Sequence, residues 1–218
     1  MAQYSPAQLL INGGFESGNF AGWTLFNTVG SETCYGLEEG GTVVTQVVSF
    51  DTAGAGAPSN SAEFEVGETS GIIGGGGLGQ GAGIYQDVTL EAGEVNISLA
   101  IGATSSGENY DAGTFELLLD GNVLACNELG MISAGQTIRS TLGYRGDVTA
   151  GMHQFAIDMR RGYGTDSSTP FQYLANIQMS ETPVPEPSVF WILAFGVVGW
   201  RPVFFRGWSK KEADFRDF

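Results

Sequence analysis

Short apolar runs, each ended within strand length by glycine, asparagine or aspartate, recur from residue 41 to residue 180. This punctuation restricts the fold more than any single motif does. Glycine supplies 34 of the 218 residues, about twice its ordinary share. Such a content disfavours long helices, whereas strands joined by tight turns tolerate it. The runs read as strands at 41–50 (GTVVTQVVSF), 61–67 (SAEFEVG), 83–90 (GIYQDVTL), 94–103 (EVNISLAIGA), 152–159 (MHQFAIDM) and 171–180 (FQYLANIQMS). In 61–67, Ala62, Phe64 and Val66 alternate with Glu63 and Glu65, the period of a half-buried strand. Within 113–125, Asp120-Gly121 stands between two apolar runs, a strong hairpin signal. No helix-period stretch of useful length precedes residue 188, so the body is expected to be an all-β, two-sheet antiparallel sandwich.

Charge divides the chain in two. Residues 1–185 carry four basic groups, Arg139, Arg145, Arg160 and Arg161, against 20 acidic ones, whereas residues 186–218 carry five basic and four acidic groups. The whole has a formal charge of −15. An acidic body repels phosphate backbones, which argues against nucleic acid as a partner.

Val189–Trp200 is an uncharged apolar run followed by both lysines of the chain, Lys210 and Lys211. As a helix it would rise only about 18 Å, but residues 188–208 would rise about 31 Å, enough for a hydrocarbon layer of about 30 Å. Arg201 and Arg206 would snorkel to the headgroups, Pro202 would kink or end the helix, and Trp191, Trp200 and Trp208 would sit at interfaces. The expected organisation is a sandwich over 1–182, a Pro-rich linker at 183–187, a single membrane helix at 188–208 and a cytoplasmic tail at 209–218. The basic residues after the run place the body outside a bacterial cytoplasmic membrane.

Val184-Pro185-Glu186-Pro187-Ser188, then the apolar stretch and basic residues, resembles the PEP-CTERM sorting signal of bacterial envelope proteins. That resemblance implies export. In the body, INGGFESGNFAGWTLF (11–26), IYQDVTLEAGEVNISLAI (84–101) and FQYLANIQMS (171–180) resemble, in order, the opening, middle and closing segments of carbohydrate-binding-module-like domains of the galactose-binding-like type. This second resemblance implies a jelly-roll sandwich whose first and last segments meet. Such domains bind sugars in many cases and are adhesive or structural modules in others. It also implies a calcium site at the junction, with Glu16 as an acidic ligand. The closing strand has Ala175 where the family usually offers Asp, and a turn carboxylate bonding backbone amides is the other reading of Glu16.

Cys34 and Cys126 have no metal-binding spacing, so in an oxidising compartment one disulfide is the natural expectation, with two buried thiols as the alternative. His153, the one histidine, lies in an alternating strand and reads as structural. No nucleophile motif is present, so no catalytic residues and no organic cofactor are assigned. GIIGGGGLGQGAG (71–83) lacks the lysine and following helix of a phosphate loop. Sugar binding needs an aromatic surface with polar neighbours; Tyr35, Tyr110, Tyr144 and Tyr163, with Arg160 and Arg161, are the candidates near loops, while Trp23 reads as core.

Two functions follow. The first is a non-catalytic, membrane-anchored sandwich serving as a structural or docking subunit of a membrane or envelope assembly, a photosynthetic or respiratory complex among the candidates. Its partners would be lipid and neighbouring subunits. The alternative is a glycan-binding envelope or extracellular-matrix protein.

Overall fold

The computed structural model describes residues 9–27, 45–66, 80–105, 110–161 and 170–183. All belong to the first of the two units into which the chain divides, Met1–Val184 and Pro185–Phe218. Twelve strands run through them: β1 (Thr24–Asn27), β2 (Thr45–Phe50), β3 (Ser59–Phe64), β4 (Gln80–Leu90), β5 (Gly93–Thr104), β6 (Tyr110–Asp111), β7 (Thr114–Leu119), β8 (Asn122–Glu128), β9 (Met131–Ile132), β10 (Thr137–Val148), β11 (Gly151–Arg161) and β12 (Phe171–Pro183).

Two five-stranded antiparallel sheets form a sandwich. The first has the order β1-β4-β11-β7-β8, the second β10-β5-β12-β3-β2, and β6 and β9 make a small separate ladder. No helix occurs among the described residues, and none there is long and apolar enough to cross a membrane. The expected span at 188–208, with Trp191, Trp200, Arg201 and Trp208, lies outside the described residues.

Period-two alternation sends one side of each sheet inward. From the first sheet, Ile84, Val88, Phe115, Leu117, Phe155, Ile157 and Met159 enter the core. The second contributes Ala62, Phe64, Val95, Ile97, Leu99, Ile101, Leu174 and Ile177. The opening segment closes one end: Phe15 is fully buried, and Trp23, 7% exposed, lies in the core with its indole N–H donating to Asn12 O at 3.1 Å. Asn12 holds this loop through its side chain, donating to Asn19 O and Ala21 O and accepting from Ser17 N.

The first and last segments meet, as the resemblance implied. Ile177 N donates to Gly13 O at 3.0 Å, beside a register shift in β12 between Ala175 and Gln178 where Asn176 is left-handed (φ 54°). A β-carbon on Gly13 would collide with the Ile177 carbonyl, so glycine permits this approach.

Four strands were not read from the sequence: β1, β10 and the two-residue strands β6 and β9. β10 (TIRSTLGYRGDV) is an edge strand in which only Leu142 is buried. Its polar composition is the physical consequence of having one covered face and one free edge. β1 is four residues long, too short for alternation to register.

Candidate functional site

Outward-facing residues of the first sheet build a cleft of about 300 Å³ lined by Phe26, Tyr85, Leu118, Gly121, Gln154, Ala156, Asp158 and Arg160. Register places them together. Tyr85 pairs with Ala156, Asp158 with both Gly83 and Glu116, and Leu118 with Ala156. Phe26 of the edge strand lies over Gly83, whose missing β-carbon would stand 2.6 Å from the Phe26 ring. Phe26 and Tyr85, both half-buried, form an open aromatic wall with centroids 6.2 Å apart and planes inclined by 47°.

Beside this wall are three coupled charges. Arg160 Nε donates to Asp158 Oδ2 at 2.7 Å and stands 3.3 Å from Glu116 Oε2, too poorly aligned for a hydrogen bond to the second carboxylate. Asp158 is 2% exposed, and its Oδ1 has no hydrogen-bond partner among the described residues; the same is true of Glu116 Oε2. Burial pushes the Asp158 carboxyl above its ordinary range; Arg160 opposes that, Glu116 adds to it, and the Met159 amide opposes it. The Asp158 bond in turn holds Arg160 firmly protonated. A buried carboxylate with an empty acceptor position is costly, and such groups normally find a donor.

Of the residues singled out in the sequence, Arg160 is in this cleft. Arg161, its neighbour, points into the opposite side of the sheet. It is 1% exposed and donates to Asp111 O at 2.7 Å and Val66 O at 2.8 Å, which makes it a buried clamp and not a surface group. Tyr144 is half-buried on β10, packed against the core. Tyr110 lies in β6, but its side chain is outside the described residues, as are Tyr35 and Tyr163 entirely. Cys126 is exposed on β8 opposite Glu116, and no disulfide occurs among the described residues; Cys34 lies outside them. His153 is buried, bonded to Asp120 and to Thr149 O.

Phe26, Tyr85, Glu116 and Asp158 were not singled out from sequence. The signal was present: Tyr85 faces outward from the run GIYQDV, and Asp158 and Arg160 are two apart in FAIDMRR, hence on one face. These residues lie on a sheet face, whereas the aromatic candidates named from the sequence lie near loops.

A second cleft, about 270 Å³, lies at the junction of the ends, lined by Leu10, Gly13, Gly14, Glu16, Asn176, Ile177, Gln178 and Met179. Glu16 is the single carboxylate of this lining, and its Oε1 already accepts from Gly14 N at 3.2 Å. Ala175 is fully buried, and no three acidic, histidine or cysteine side chains are placed to hold a metal ion among the described residues. Calcium takes six to eight oxygens, several of them charged. The residues described at this junction do not provide that set.

The fold and cleft define a two-sheet β-sandwich with an aromatic and acidic trough on one sheet. No family model matches the chain, and no curated protein matches it. Solved structures similar to it include TmCBM61 in complex with beta-1,4-galactotriose, at 14% identity over 80% of this chain and 99% of that one, TM-score 0.48. Another is the CBM22-1 xylan-binding domain of Paenibacillus barcinonensis Xyn10C, at 13% identity over 78% and 92%, TM-score 0.43. A third is the module CBM6cm-2 of Cellvibrio mixtus lichenase 5A with cellotriose, at 14% identity over 73% and 97%, TM-score 0.34.

Proposed function

We propose that this protein is a non-catalytic glycan-binding sandwich that takes a saccharide on the outer face of the first sheet. One observation carries the reading: Asp158, almost wholly buried in the floor of an aromatic-walled cleft, keeps a carboxylate oxygen without a donor. A sugar presents both halves of the complement. Its C–H face stacks on aromatic rings, and its hydroxyls donate to carboxylates. Arg160 and Gln154 add donors for ring and hydroxyl oxygens at the same edge.

A binding role is favoured over hydrolysis by the position of Arg160. Glycosidases need two carboxyl groups flanking the scissile oxygen, with space between them. Here the guanidinium stands between Asp158 and Glu116, at 2.7 and 3.3 Å. The docking-subunit reading rested on the sandwich together with the anchor at 188–208, and the anchor lies outside the described residues. An envelope location, implied by the resemblance of residues 184–188, would place the cleft among glycans.

The test is calorimetry with a panel of oligosaccharides. Saturable binding is expected, weakened about tenfold or more by Tyr85→Ala or Phe26→Ala, the scale of losing an aromatic anchor. Binding indifferent to both substitutions, or no binding to any glycan, would remove the proposal.

A further inference from the structure

Resting on the glycan reading, we infer that the ligand class is a cationic glycan: a pyranose chain carrying free amino groups, as in de-N-acetylated amino-sugar polymers. The argument is one of charge. Neutral hydroxyls satisfy the hydrogen bonding of a carboxylate but leave its charge unopposed. At the cleft and its edge, two carboxylates share one guanidinium: Asp158 Oδ1 is buried without a partner, and Glu116 Oε2 has the 3.3 Å ion pair to Arg160 but no hydrogen bond.

The surrounding face deepens the imbalance. Asp87 pairs with Gln154 and Glu128 with Thr114 in register, so both lie on the outward side with the cleft residues. Among the described residues, this face therefore carries four carboxylates, Asp87, Glu116, Glu128 and Asp158, and one base, Arg160. Uronic acids and sulfated glycans would be repelled here.

An ammonium meets these demands together. It donates up to three hydrogen bonds, it supplies the missing positive charge to a buried carboxylate, and it is attracted to the faces of Phe26 and Tyr85. A primary amine borne on a pyranose also keeps the apolar ring face that the aromatic wall requires.

Three hexasaccharides of one linkage separate the possibilities, because they differ only at C2: β-1,4-linked glucosamine (ammonium), N-acetylglucosamine (neutral amide) and glucose (hydroxyl). Titrated calorimetrically into the full chain at pH 6, the glucosamine hexamer is expected to bind about tenfold more tightly than either neutral one, the scale of one close charge pair. That advantage should shrink as salt is raised and disappear in Glu116→Gln and in Asp158→Asn, while Asp147→Asn, an exposed acid on β10 of the other sheet, should leave it intact. Circular dichroism checks that each variant is folded. Hexalysine controls for net charge, and binding as tight as that of the glucosamine hexamer would overturn the inference. Equal or tighter binding of the neutral hexamers would also overturn it while leaving the glycan reading in place. Binding of none of the three sugars, nor of any other glycan, would end both.

Discussion

His153 has an acceptor on each ring nitrogen, Asp120 Oδ2 at 2.7 Å from Nδ1 and Thr149 O at 2.9 Å from Nε2. An imidazole can donate to both only when it is protonated. These bonds, that from Asp120 first, raise the His153 pKa above its ordinary 6.5, and the same bond lowers that of Asp120 below 3.8. Asp120 is the first residue of the β7–β8 turn, left-handed at φ 52° with Gly121 at 75°, and its other oxygen accepts from Gln154 N. The histidine thus ties the hairpin tip to β11 beside the cleft. The sign of the linkage is fixed by both shifts. The raised histidine contributes stability that is fully present below pH 6.5 and is lost as pH rises through its folded pKa. The depressed aspartate contributes stability that is present above 3.8 and is lost as pH falls through its own. The staple is therefore strongest between these two values. His153→Gln should cost about 1 kcal/mol at pH 6, a charged hydrogen bond discounted for the half-exposed Asp120. The cost should diminish toward pH 9. Urea midpoints of both chains at the two pH values check this; parallel pH dependence would show that the pair does not set it.

At the scale of elements, the strands that alternate over a covered face were legible: the runs at 61–67, 83–90, 94–103, 152–159 and 171–180 fall on β3, β4, β5, β11 and β12. The Asp120-Gly121 hairpin joins β7 to β8 as its residues dictate. β10 was invisible because its polar residues are an edge strand's protection and look like a loop. The cleft was invisible for a different reason. It depends on which strands become neighbours, and Glu116, Asp158 and Tyr85 are brought together only by the order β4-β11-β7. Gly83 shows how closely fold and site are joined. A β-carbon there would collide with the Ile157 carbonyl of β11 and press on the Phe26 ring from below. Gly83→Ala should therefore destabilise the protein by about 1–3 kcal/mol, as overpacking does. It should also weaken saccharide binding by displacing Phe26. A urea midpoint equal to that of the parent would show that the sheet absorbs the methyl group without moving.

For the whole molecule, the governing quantity is the formal charge of −15, concentrated in a body with four arginines. Several of these arginines are committed locally: Arg161 to backbone carbonyls, Arg160 to Asp158, and Arg145 to Glu94 at 2.7 Å. The remaining carboxylates repel one another across a compact sandwich, and the unfolded chain relieves that repulsion by expanding. Screening should therefore stabilise the fold. The Debye length falls from about 30 Å at 0.01 M to about 3 Å at 1 M salt, so repulsion between distant surface acids is largely removed while the partly buried Asp158–Arg160 contact is screened less. A gain of about 1 kcal/mol would raise Tm by roughly 2–4 °C for a domain of this size. The same charge excess should have the opposite consequence at the cleft, where attraction to an ammonium-bearing glycan weakens with salt. Differential scanning calorimetry and binding titrations at 0.01 and 0.5 M sodium chloride measure the two together. A Tm that rises while affinity for the glucosamine hexamer falls is the expected pair. A Tm that is unchanged or lower in salt would show that the acidic surface is already balanced locally and that the net charge does not limit stability.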